Sequence, residues 1–500
     1  MRIDRLRLPS FRNLIDFEVD FDEGSARQVV VGRNGVGKSN LLEAIVRIFR
    51  DLDLEEPSTF PYEIEYLCRG HSVRIVNATD HSKSANTVKN YKRKYELLSG
   101  SATKILGEKK YVEVSESEFF KRNRRLHSGE YGERLLPNYV FGYYSGHVAR
   151  FEHLFERHEE RYYADQIRGE EAPLRALFLA RPHHSQFAVL SFFAADDERA
   201  RDYLKKEMRI ESLDAVLFSL RQPYWGKGKK NLEAGAEGRR FWAAAGRVAP
   251  FLEALFRHSF VPMAFLERLK VSVGQTETRE RRFCYVPSQQ GLVELAGGLS
   301  NKEFFARLES LVFSDLVNGD GSDVRLWLRL SGVAEPVTFA DLAEGERQLL
   351  TVLGLLRFTA EEEALFILDE PDTHLNPAWC LDYLDNLKTY GADLASSQII
   401  MTTHSPLTFA GLKKNEVVIL ERSIEGKVFA QHPTRSPRGM GFSAILASDY
   451  FGLRSQLDGK TLKLLDEKRA LALKDEKSDR DRARLARLDK VLGRLDFSKS

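Results

Sequence analysis

The feature that most constrains the fold of this chain is a glycine-rich stretch, GRNGVGKS, at residues 32–39. It follows the apolar run RQVVVG and precedes a run with helical spacing over about residues 39–50. A strand, a glycine turn and a helix in this order present backbone N–H groups and a helix N-terminus to a phosphate group. The stretch predicts a phosphate-binding loop in an α/β fold, with Lys38 on the outer phosphates and the Ser39 hydroxyl on Mg²⁺.

A second candidate site lies in the stretch ALFILDEPDTHLNP, at residues 364–377. The apolar residues before Asp369 and Glu370 predict a buried strand that ends in two acids. Such acids lie at the carboxyl edge of the sheet, where open α/β sheets bind ligands. One carboxylate can support Mg²⁺, and the other can accept a proton from the attacking water.

Two further stretches place candidate phosphate contacts at the start of a predicted helix and at the end of a predicted strand. In LAEGE, at residues 342–346, Gly345 comes just ahead of a predicted helix whose start presents backbone N–H groups. The stretch QIIMTTHSP ends a predicted buried strand in His404, which lies 404 − 369 = 35 residues after Asp369. Taken singly, the LAEGE stretch is interpreted as a plain helix cap and His404 as a structural histidine. Their order along the chain favours a γ-phosphate contact for His404.

The order of the four stretches resembles that of the ABC-type ATPase heads of the SMC, RecF and OLD group of AAA-family ATPases. The resemblance implies an ABC-type P-loop ATPase head that uses ATP and Mg²⁺. Ser39 and Asp369 would hold the metal, Glu370 would act as general base and His404 would sense the γ-phosphate. The nucleotide-binding residues would be Gly32, Arg33, Asn34, Gly35, Val36, Gly37, Lys38, Ser39 and Asn40.

The resemblance also implies assembly through the heads. The signature stretch would act in trans on the nucleotide of a second subunit, which implies a homodimer or a higher homo-oligomer with head-to-head contact. This stretch comprises Leu342, Ala343, Glu344, Gly345 and Glu346. Asn376 falls where the D-loop of the family lies.

Two positions depart from the family pattern. Ala343 stands where the signature usually has a serine, which removes one hydroxyl contact to the γ-phosphate. A lost charge-assisted hydrogen bond costs about 1.5–3 kcal/mol, consistent with slow hydrolysis or with nucleotide used as a switch. The predicted strand at residues 138–146 lacks the glutamine of a Q-loop at its end, and the next glutamines are Gln166 and Gln186.

Within the group, the chain resembles the ATPase subunits of bacterial anti-phage systems of the Septu type, which also occur with retrons. The box DEPDTHLNP, a helical insertion in place of a long coiled coil and the stretch GFSAILASDYFGL carry this resemblance. It implies an HNH nuclease partner (PtuB-like) that cuts, with this chain as an ATP-gated regulator or scaffold. DNA or retron nucleic acid would be a further partner.

Composition limits the alternatives. An apolar share of 43% with 30% charged residues describes a globular protein, and a net charge of +2 provides no global field for nucleic acid. The three cysteines follow no metal spacing, the N-terminus lacks the apolar core of a signal peptide, and no apolar run is long enough to span a membrane. We therefore expect a cytoplasmic protein with no membrane partner.

Changes in pattern divide the chain into four units. Residues 1–150 would form the N-terminal lobe of the head, 151–260 a helical insertion and 261–452 the C-terminal lobe. Residues 453–500 would form a helical tail for assembly or partner binding, with an apolar stripe at Leu485, Leu488, Val491, Leu492 and Leu495. The run FWAAAGRVAPFLEALFRH, at residues 241–258, has helical spacing, and Pro250 predicts a kink or break in it.

A second function stays open at this point, that of a RecF-like or SMC-like DNA repair ATPase that binds DNA itself. Basic segments at residues 89–94, 119–127, 227–230 and 279–282 would support either function, or would be solvated loops. Too little chain follows His404 for the Toprim domain of an OLD-type nuclease, so we expect no nuclease activity. The histidines at positions 147, 153, 158, 183 and 184 are interpreted as non-ligands.

Overall fold

A computed structural model describes residues 1–79, 91–98, 111–124, 134–146, 150–170, 174–195, 197–227, 240–272, 275–359, 363–391, 394–451 and 457–495. The strands are β1 (Arg2–Phe11), β2 (Leu14–Asp20), β3 (Arg27–Gly32), β4 (Tyr62–Cys68), β5 (His71–Thr79), β6 (Tyr91–Leu98), β7 (Tyr111–Val114), β8 (Tyr139–Tyr144), β9 (Leu177–Leu179), β10 (Ile210–Arg221), β11 (Phe260–Ser272), β12 (Gln275–Val286), β13 (Val324–Leu330), β14 (Val337–Thr338), β15 (Ala364–Asp369), β16 (Gln398–Thr402), β17 (Val417–Arg422) and β18 (Val428–Gln431). The α-helices are α1 (Lys38–Asp53), α2 (Glu116–Asn123), α3 (Glu152–Arg168), α4 (His183–Ala194), α5 (Glu198–Lys206), α6 (Val248–His258), α7 (Gln289–Ala296), α8 (Asn301–Phe313), α9 (Glu344–Thr359), α10 (Pro377–Asn386), α11 (Pro406–Phe409), α12 (Phe442–Ala447), α13 (Gly459–Ala472) and α14 (Asp479–Leu492).

The centre of the fold is a seven-stranded sheet with the order β18-β17-β3-β16-β15-β8-β9. Its strands run parallel, except that β18 pairs antiparallel with β17 at one edge. All six residues of β15 are buried, because parallel strands covered on both faces need apolar side chains throughout. The sheet confirms the predicted α/β class, and its order places β3, β16 and β15 side by side.

Helix α1 lies between this sheet and a six-stranded antiparallel sheet, β2-β1-β4-β5-β6-β7. One hydrophobic core joins Ile3 of β1, Leu41 and Ile45 of α1, and Ile367 of β15. Strands β4 and β5 form a hairpin, and its two-residue turn has a positive φ at Arg69 (47°) and at Gly70 (77°). Those dihedral signs are the ones that a tight antiparallel hairpin needs.

The other face of the central sheet is covered by helices and by a five-stranded antiparallel sheet, β11-β12-β10-β13-β14. Helix α4 lies in this core with nearly every residue buried. Its stretch at residues 187–195 has no clear periodicity because a helix that is buried all round needs no polar face. Within the described part of the chain, no helix is both long and apolar enough to cross a lipid bilayer.

Residues 151–260 are less helical than the sequence predicts. Strand β9 joins the central sheet from within this segment, and β10 is the middle strand of the five-stranded sheet. Helix α6 begins only at Val248, since Trp242 and Ala243 have positive φ values of 58° and 61° that a helix excludes. Pro250 then lies in the first turn of α6, where proline is tolerated, so it causes no kink.

The predicted helical tail consists of two helices. Helices α13 and α14 pack on each other, with ion pairs between Arg484 and Glu467 (2.7 Å) and between Lys468 and Asp489 (2.5 Å). Leu488 and Leu492 of the apolar stripe are buried, whereas Val491 is exposed. The assembly role of the tail stays a prediction.

Candidate functional site

The glycine-rich stretch forms a compact loop between β3 and α1. Gly32 ends β3 with a φ of 149°, and a Cβ there would lie 2.4 Å from the carbonyl oxygen of Leu420 in β17. Gly37 caps α1 with a φ of 121°. Both positions therefore require glycine, one for its close approach to β17 and both for their backbone conformation. The loop directs the N-terminus of α1 into a cavity, the electrostatic setting that favours a phosphate group.

Lys38 points into this loop. Its side chain is buried, and Nζ donates a hydrogen bond to the carbonyl oxygen of Gly32 at 3.0 Å. Burial lowers the pKa of Lys38, and the nearby carboxylates of Glu370 and Asp369 oppose that shift. The buried ammonium group therefore bonds a backbone carbonyl and lies near the two acids at the end of β15.

Asp369 ends β15 opposite Thr402 at the end of β16. Its carboxylate is buried and accepts a hydrogen bond from the Thr402 hydroxyl. Burial raises the pKa of Asp369, whereas hydrogen bonds from Thr402 and from Ser39 lower it. The Ser39 hydroxyl and the Asp369 carboxylate thus meet, although they are far apart in the sequence. Such oxygen groups are the ligands that Mg²⁺ prefers, so this pair fits a magnesium site.

Glu370 turns out of the sheet immediately after Asp369. Its φ of 53° is unusual for a residue with a side chain, and such strain concentrates at functional sites. Its backbone N–H donates to the carbonyl oxygen of Thr402 at 3.2 Å. Its carboxylate lies 2.8 Å from Nε2 of His404, and this hydrogen bond is the main cause that lowers the pKa of Glu370.

Nε2 of His404 also lies 3.0 Å from Nζ of Lys38. A single ring nitrogen cannot accept a hydrogen bond from Lys38 and donate a hydrogen bond to Glu370 at the same time. His404 therefore stands between the cation and the acid, and in any one protonation state its Nε2 can bond only one of them.

Asp372 connects the loop after β15 to the loop after β16. Its buried carboxylate accepts hydrogen bonds from the hydroxyls of Thr403 (2.5 Å) and Thr408. The Thr403 hydroxyl in turn accepts the backbone N–H of Ser405 at 2.9 Å. His404 lies between Thr403 and Ser405, so Asp372 fixes the backbone that carries the histidine.

The structure places the signature stretch apart from this cavity. The described lining of the cavity comes from residues 34, 35 and 37–40 together with Arg150, Glu370 and His404, and residues 342–346 are not part of it. Helix α9 begins at Glu344, so Gly345 does not lie ahead of the helix as expected but is buried in its first turn. A Cβ at Gly345 would lie 2.6 Å from the carbonyl oxygen of His374, so this glycine permits close packing within the chain.

The other predicted site residues lie nearby in different settings. Arg33 and Val36 line a neighbouring cavity together with Tyr450 and the end of β17. Asn376 caps α10, and its side-chain oxygen accepts the backbone N–H of Trp379 at 3.0 Å. The nucleotide contacts of Arg33 and Val36 and the D-loop role of Asn376 stay predictions.

Sequence reasoning missed a cluster of arginines beside the loop. Glu43 of α1 is fully buried and forms ion pairs with Arg12 (2.6 Å), Arg47 (2.9 Å) and Arg150 (3.3 Å). Arg150 lines the cavity, and Asn13 donates to the carbonyl oxygen of Val36 at 3.0 Å. The residue pair Arg12-Asn13 between two alternating stretches was the available signal, since it predicts a tight turn. No local pattern predicted Arg150.

Two of the histidines gather around a buried acid. Nε2 of His183 and Nε2 of His184 each lie 2.9 Å from the same carboxylate oxygen of Glu309. Burial lowers the pKa of His184 to about 3, so its ring is neutral. Its Nδ1 accepts the backbone N–H of Arg181 at 2.7 Å, so Nε2 carries the proton and has no lone pair for a metal. Arg175 pairs with the same Glu309 at 3.1 Å. His147 lies outside the described residues, and the interpretation of the histidines as non-ligands stays a prediction.

The phosphate loop, the acids after β15 and the histidine after β16 meet at one edge of a parallel sheet, as in an ABC-type P-loop ATPase head. A family model described as "AAA domain, putative AbiEii toxin, Type IV TA system" matches residues 168–410. Another, described as "AAA ATPase domain", matches residues 1–134. The first match contains the signature stretch, the acids and His404, and the second contains the phosphate loop. Together they support an ATPase of the AAA class.

Individual proteins show more distant similarity. Septu protein PtuA of Bacillus mycoides (strain KBAB4) is 32% identical over 93 residues, which cover 19% of this chain and 13% of PtuA. This chain therefore aligns with only a small part of the length of that relative. The head of Smc bound to the C-winged helix domain of ScpA has a TM-score of 0.34 at 13% identity, covering 87% of this chain and 98% of that one. A Smc head with an extended coiled coil, bound to the C-terminal domain of ScpA from Pyrococcus furiosus, has a TM-score of 0.28 at 14% identity, covering 86% and 96%.

The link through Asp372 yields a first prediction. Asp372→Ala removes the acceptor of two buried hydroxyls and releases the backbone around His404, while the phosphate loop stays intact. We expect kcat for ATP hydrolysis to fall about tenfold with KM for ATP within about twofold, as measured by steady-state phosphate release. Asp372→Asn keeps one acceptor oxygen and should lie closer to the parent chain.

Asp385→Ala is the matched control, because that carboxylate lies on α10 with 83% of its side chain exposed. An increase in KM with unchanged kcat would show that Asp372 does not position the histidine. An equal decrease of kcat in Asp385→Ala would show the same.

Proposed function

We propose that this chain is the ATP-binding and ATP-hydrolysing subunit of an anti-phage defence complex, in which it acts as an ATP-gated regulator or scaffold for a partner HNH nuclease. The observation that carries the ATPase part is the meeting of Lys38, Asp369, Glu370 and His404 at one sheet edge. The defence part is supported by the partial similarity to PtuA and by the order of the sequence motifs.

Each residue has one task in the proposed reaction. Lys38 and the loop amides bind the β- and γ-phosphates of ATP. Ser39 and Asp369 would hold Mg²⁺, which would neutralise charge on the phosphates. Glu370 orients the attacking water and accepts its proton, for which its lowered pKa keeps it ionised at neutral pH. His404 leaves Glu370 or Lys38 to contact the γ-phosphate.

A second copy of the chain completes the site in this proposal. Ala343 and Glu344 are exposed at the start of α9, where a partner's nucleotide can reach them. Because Ala343 offers no hydroxyl, backbone groups alone would contact the γ-phosphate, which favours slow turnover. ATP would then hold two heads together, and hydrolysis would release them.

Direct DNA binding as the main function receives less support. The basic segment at residues 279–282 lies in β12, where its arginines are paired with neighbouring acids. Arg281 pairs with Glu267 (2.7 Å) and Asp323 (2.9 Å), and Arg282 pairs with Glu280 (2.6 Å). These guanidinium groups are therefore committed within the chain and do not form a cationic surface.

The role of Glu370 as general base predicts the effect of Glu370→Gln. The amide keeps the shape of the side chain but cannot accept the proton of water, so hydrolysis should fall about 100-fold or more. ATP binding, measured by equilibrium dialysis, should stay within about twofold. Glu425→Gln, in an exposed turn, serves as the control for loss of one negative charge. A rate close to that of the parent chain would remove Glu370 from the mechanism.

If a second copy completes the site, two inactive variants should restore ATPase activity when they are mixed. Lys38→Ala and Glu344→Lys should each be nearly inactive, and Glu344 is exposed, so the second change creates no clash in its own chain. In a mixed dimer, one site combines the intact Lys38 of one copy with the intact signature stretch of the other. An equal mixture should recover about a quarter of the parent ATPase rate, because half of the dimers are mixed and each has one working site. Mixed dimers that form by native mass spectrometry but show no recovery would contradict the shared site.

The regulatory role predicts how DNA cleavage depends on ATP. The purified chain alone should not cut DNA, whereas its complex with an HNH nuclease encoded beside it should cut at a rate that changes at least about tenfold between no ATP and saturating ATP. A complex that carries Lys38→Ala should not respond to ATP, because the phosphate loop has lost its cation. Mg²⁺-dependent nicking by the chain alone that survives Glu370→Gln would contradict the proposal.

A further inference from the structure

Arg150 enters the phosphate-loop cavity from a fourth strand of the central sheet. It follows β8, whose last residue, Tyr144, lies opposite Asp369 of β15. Strands β3, β16, β15 and β8 are neighbours in that order. The segments after these strands carry the glycine-rich stretch, His404, Glu370 and Arg150, and all of them line one cavity. The reaction proposed above gives a task to the first three and none to Arg150.

The buried Glu43 cannot neutralise the three arginines that contact it. It carries one negative charge, and none of these arginines forms an ion pair with another acid in the described part of the chain. Arg12 (2.6 Å) and Arg47 (2.9 Å) both contact Oε1 of the acid. Arg150 contacts Oε2 at 3.3 Å from Nη2 and at 3.4 Å from Nε, which are longer bonds. The cluster therefore keeps an excess of positive charge, and Glu43 holds Arg150 least closely.

The guanidinium of Arg150 is anchored through two of its nitrogens. Nη2 donates to the side-chain oxygen of Asn40 in α1, and Nη2 and Nε both donate to Glu43. The remaining nitrogen, Nη1, forms no hydrogen bond with any described residue, and 27% of the side chain is exposed. A guanidinium presents its N–H groups in one plane and matches the oxygens of a phosphate. Arg150 thus brings an available pair of donors to a cavity that is suited to phosphate.

The charge of Arg150 acts on the acids at the end of β15. Burial is the main cause that raises the pKa of Asp369, and Arg150 is among the groups that oppose that shift. In the proposed reaction, Asp369 supports the metal and Glu370 orients the attacking water, and both tasks take place at the terminal phosphate of ATP. That binding mode brings the terminal phosphate to the part of the cavity that Arg150 lines.

We propose that Arg150 binds the terminal phosphate of the nucleotide and stabilises the negative charge on it during hydrolysis. The inference rests on the proposed function, which determines the end of the nucleotide that lies beside the acids. The oxygen of water forms a bond to the γ-phosphorus, the bond from that phosphorus to the bridging oxygen of ADP breaks, and Glu370 takes the proton of the water. Arg150 stays protonated throughout.

Glu43 and Asn40 act through Arg150 in this proposal. They hold its guanidinium in place before the reaction, so the cation needs no rearrangement when charge develops on the phosphate. Glu43 is therefore a positioning residue, and its burial on α1 explains why a helix beside the phosphate loop carries an acid.

The first experiment separates a phosphate contact from a role in folding. Arg150→Ala and Arg47→Ala each remove one arginine from Glu43, but Arg47 is not part of the described lining of the cavity. We expect kcat for ATP hydrolysis to fall about 100-fold in Arg150→Ala and to stay within about threefold in Arg47→Ala. Arg150→Lys keeps the charge without the planar fork and should lie between Arg150→Ala and the parent chain. Equal losses of kcat in Arg150→Ala and Arg47→Ala, with equal losses of Tm, would overturn the proposal.

The second experiment identifies the phosphate that Arg150 binds. Equilibrium dialysis measures ATP and ADP on the full chain with Glu370→Gln, so that ATP is not hydrolysed. Adding Arg150→Ala should weaken ATP binding about tenfold and leave ADP binding within about twofold, because ADP lacks the terminal phosphate. Adding Arg47→Ala should change neither. Equal weakening of ATP and ADP by Arg150→Ala, or no weakening of ATP, would overturn the proposal.

The two experiments also distinguish this inference from the proposed function. A parent chain that hydrolyses ATP, with Arg150→Ala no slower than Arg47→Ala, overturns the role of Arg150 alone. A parent chain that binds ATP without hydrolysing it contradicts the proposed function, and the comparison of ATP with ADP then still decides whether Arg150 contacts the terminal phosphate.

Discussion

The parallel pairing of β3, β16 and β15 is the constraint on which the rest of the site depends. It brings the phosphate loop after Gly32, the acids after Leu368 and the histidine after Thr402 to one edge of one sheet. The register of this pairing places Asp369 opposite Thr402, and the Asp369 carboxylate accepts a hydrogen bond from the Thr402 hydroxyl. A shift of one residue would turn the acid to the other face of the sheet and separate it from Ser39. The apolar residues of β15, buried on both faces, prevent such a shift.

Positive and negative side chains at this edge of the sheet lie next to one another. Lys38 is buried next to two acids, and His404 stands between Lys38 and Glu370. The Glu43 cluster places further positive charge beside the loop, with the acid at its centre fully buried. Lys38, Asp369 and Glu43 are buried, so each is sensitive to the loss of its partners, because an unpaired buried charge costs far more than an exposed one. The phosphate loop, the acids and the histidine therefore act as one electrostatic unit.

The sequence predicted the parts of this unit that obey local rules. The glycine loop, the strand that ends in Asp369 and Glu370, and the strand before His404 each have a pattern that stands alone, and α1, β15 and β16 follow it. Arg150 escaped prediction because its role depends on a tertiary contact with Glu43. The strand β10 and the late start of α6 escaped for a similar reason, since the core decides their conformation and helical spacing alone does not. Helix α4 has no periodicity because it is buried all round.

Gly345 permits contact between α9 and the carbonyl oxygen of His374, four residues after Glu370. The same segment contains Asp372, which holds the backbone of the histidine through Thr403. The start of α9 thus contacts the turn after β15, and that turn is hydrogen-bonded to the loop after β16. A side chain at position 345 would therefore press on the turn whose Asp372 holds the backbone of His404, so a substitution on α9 would reach the histidine without touching it.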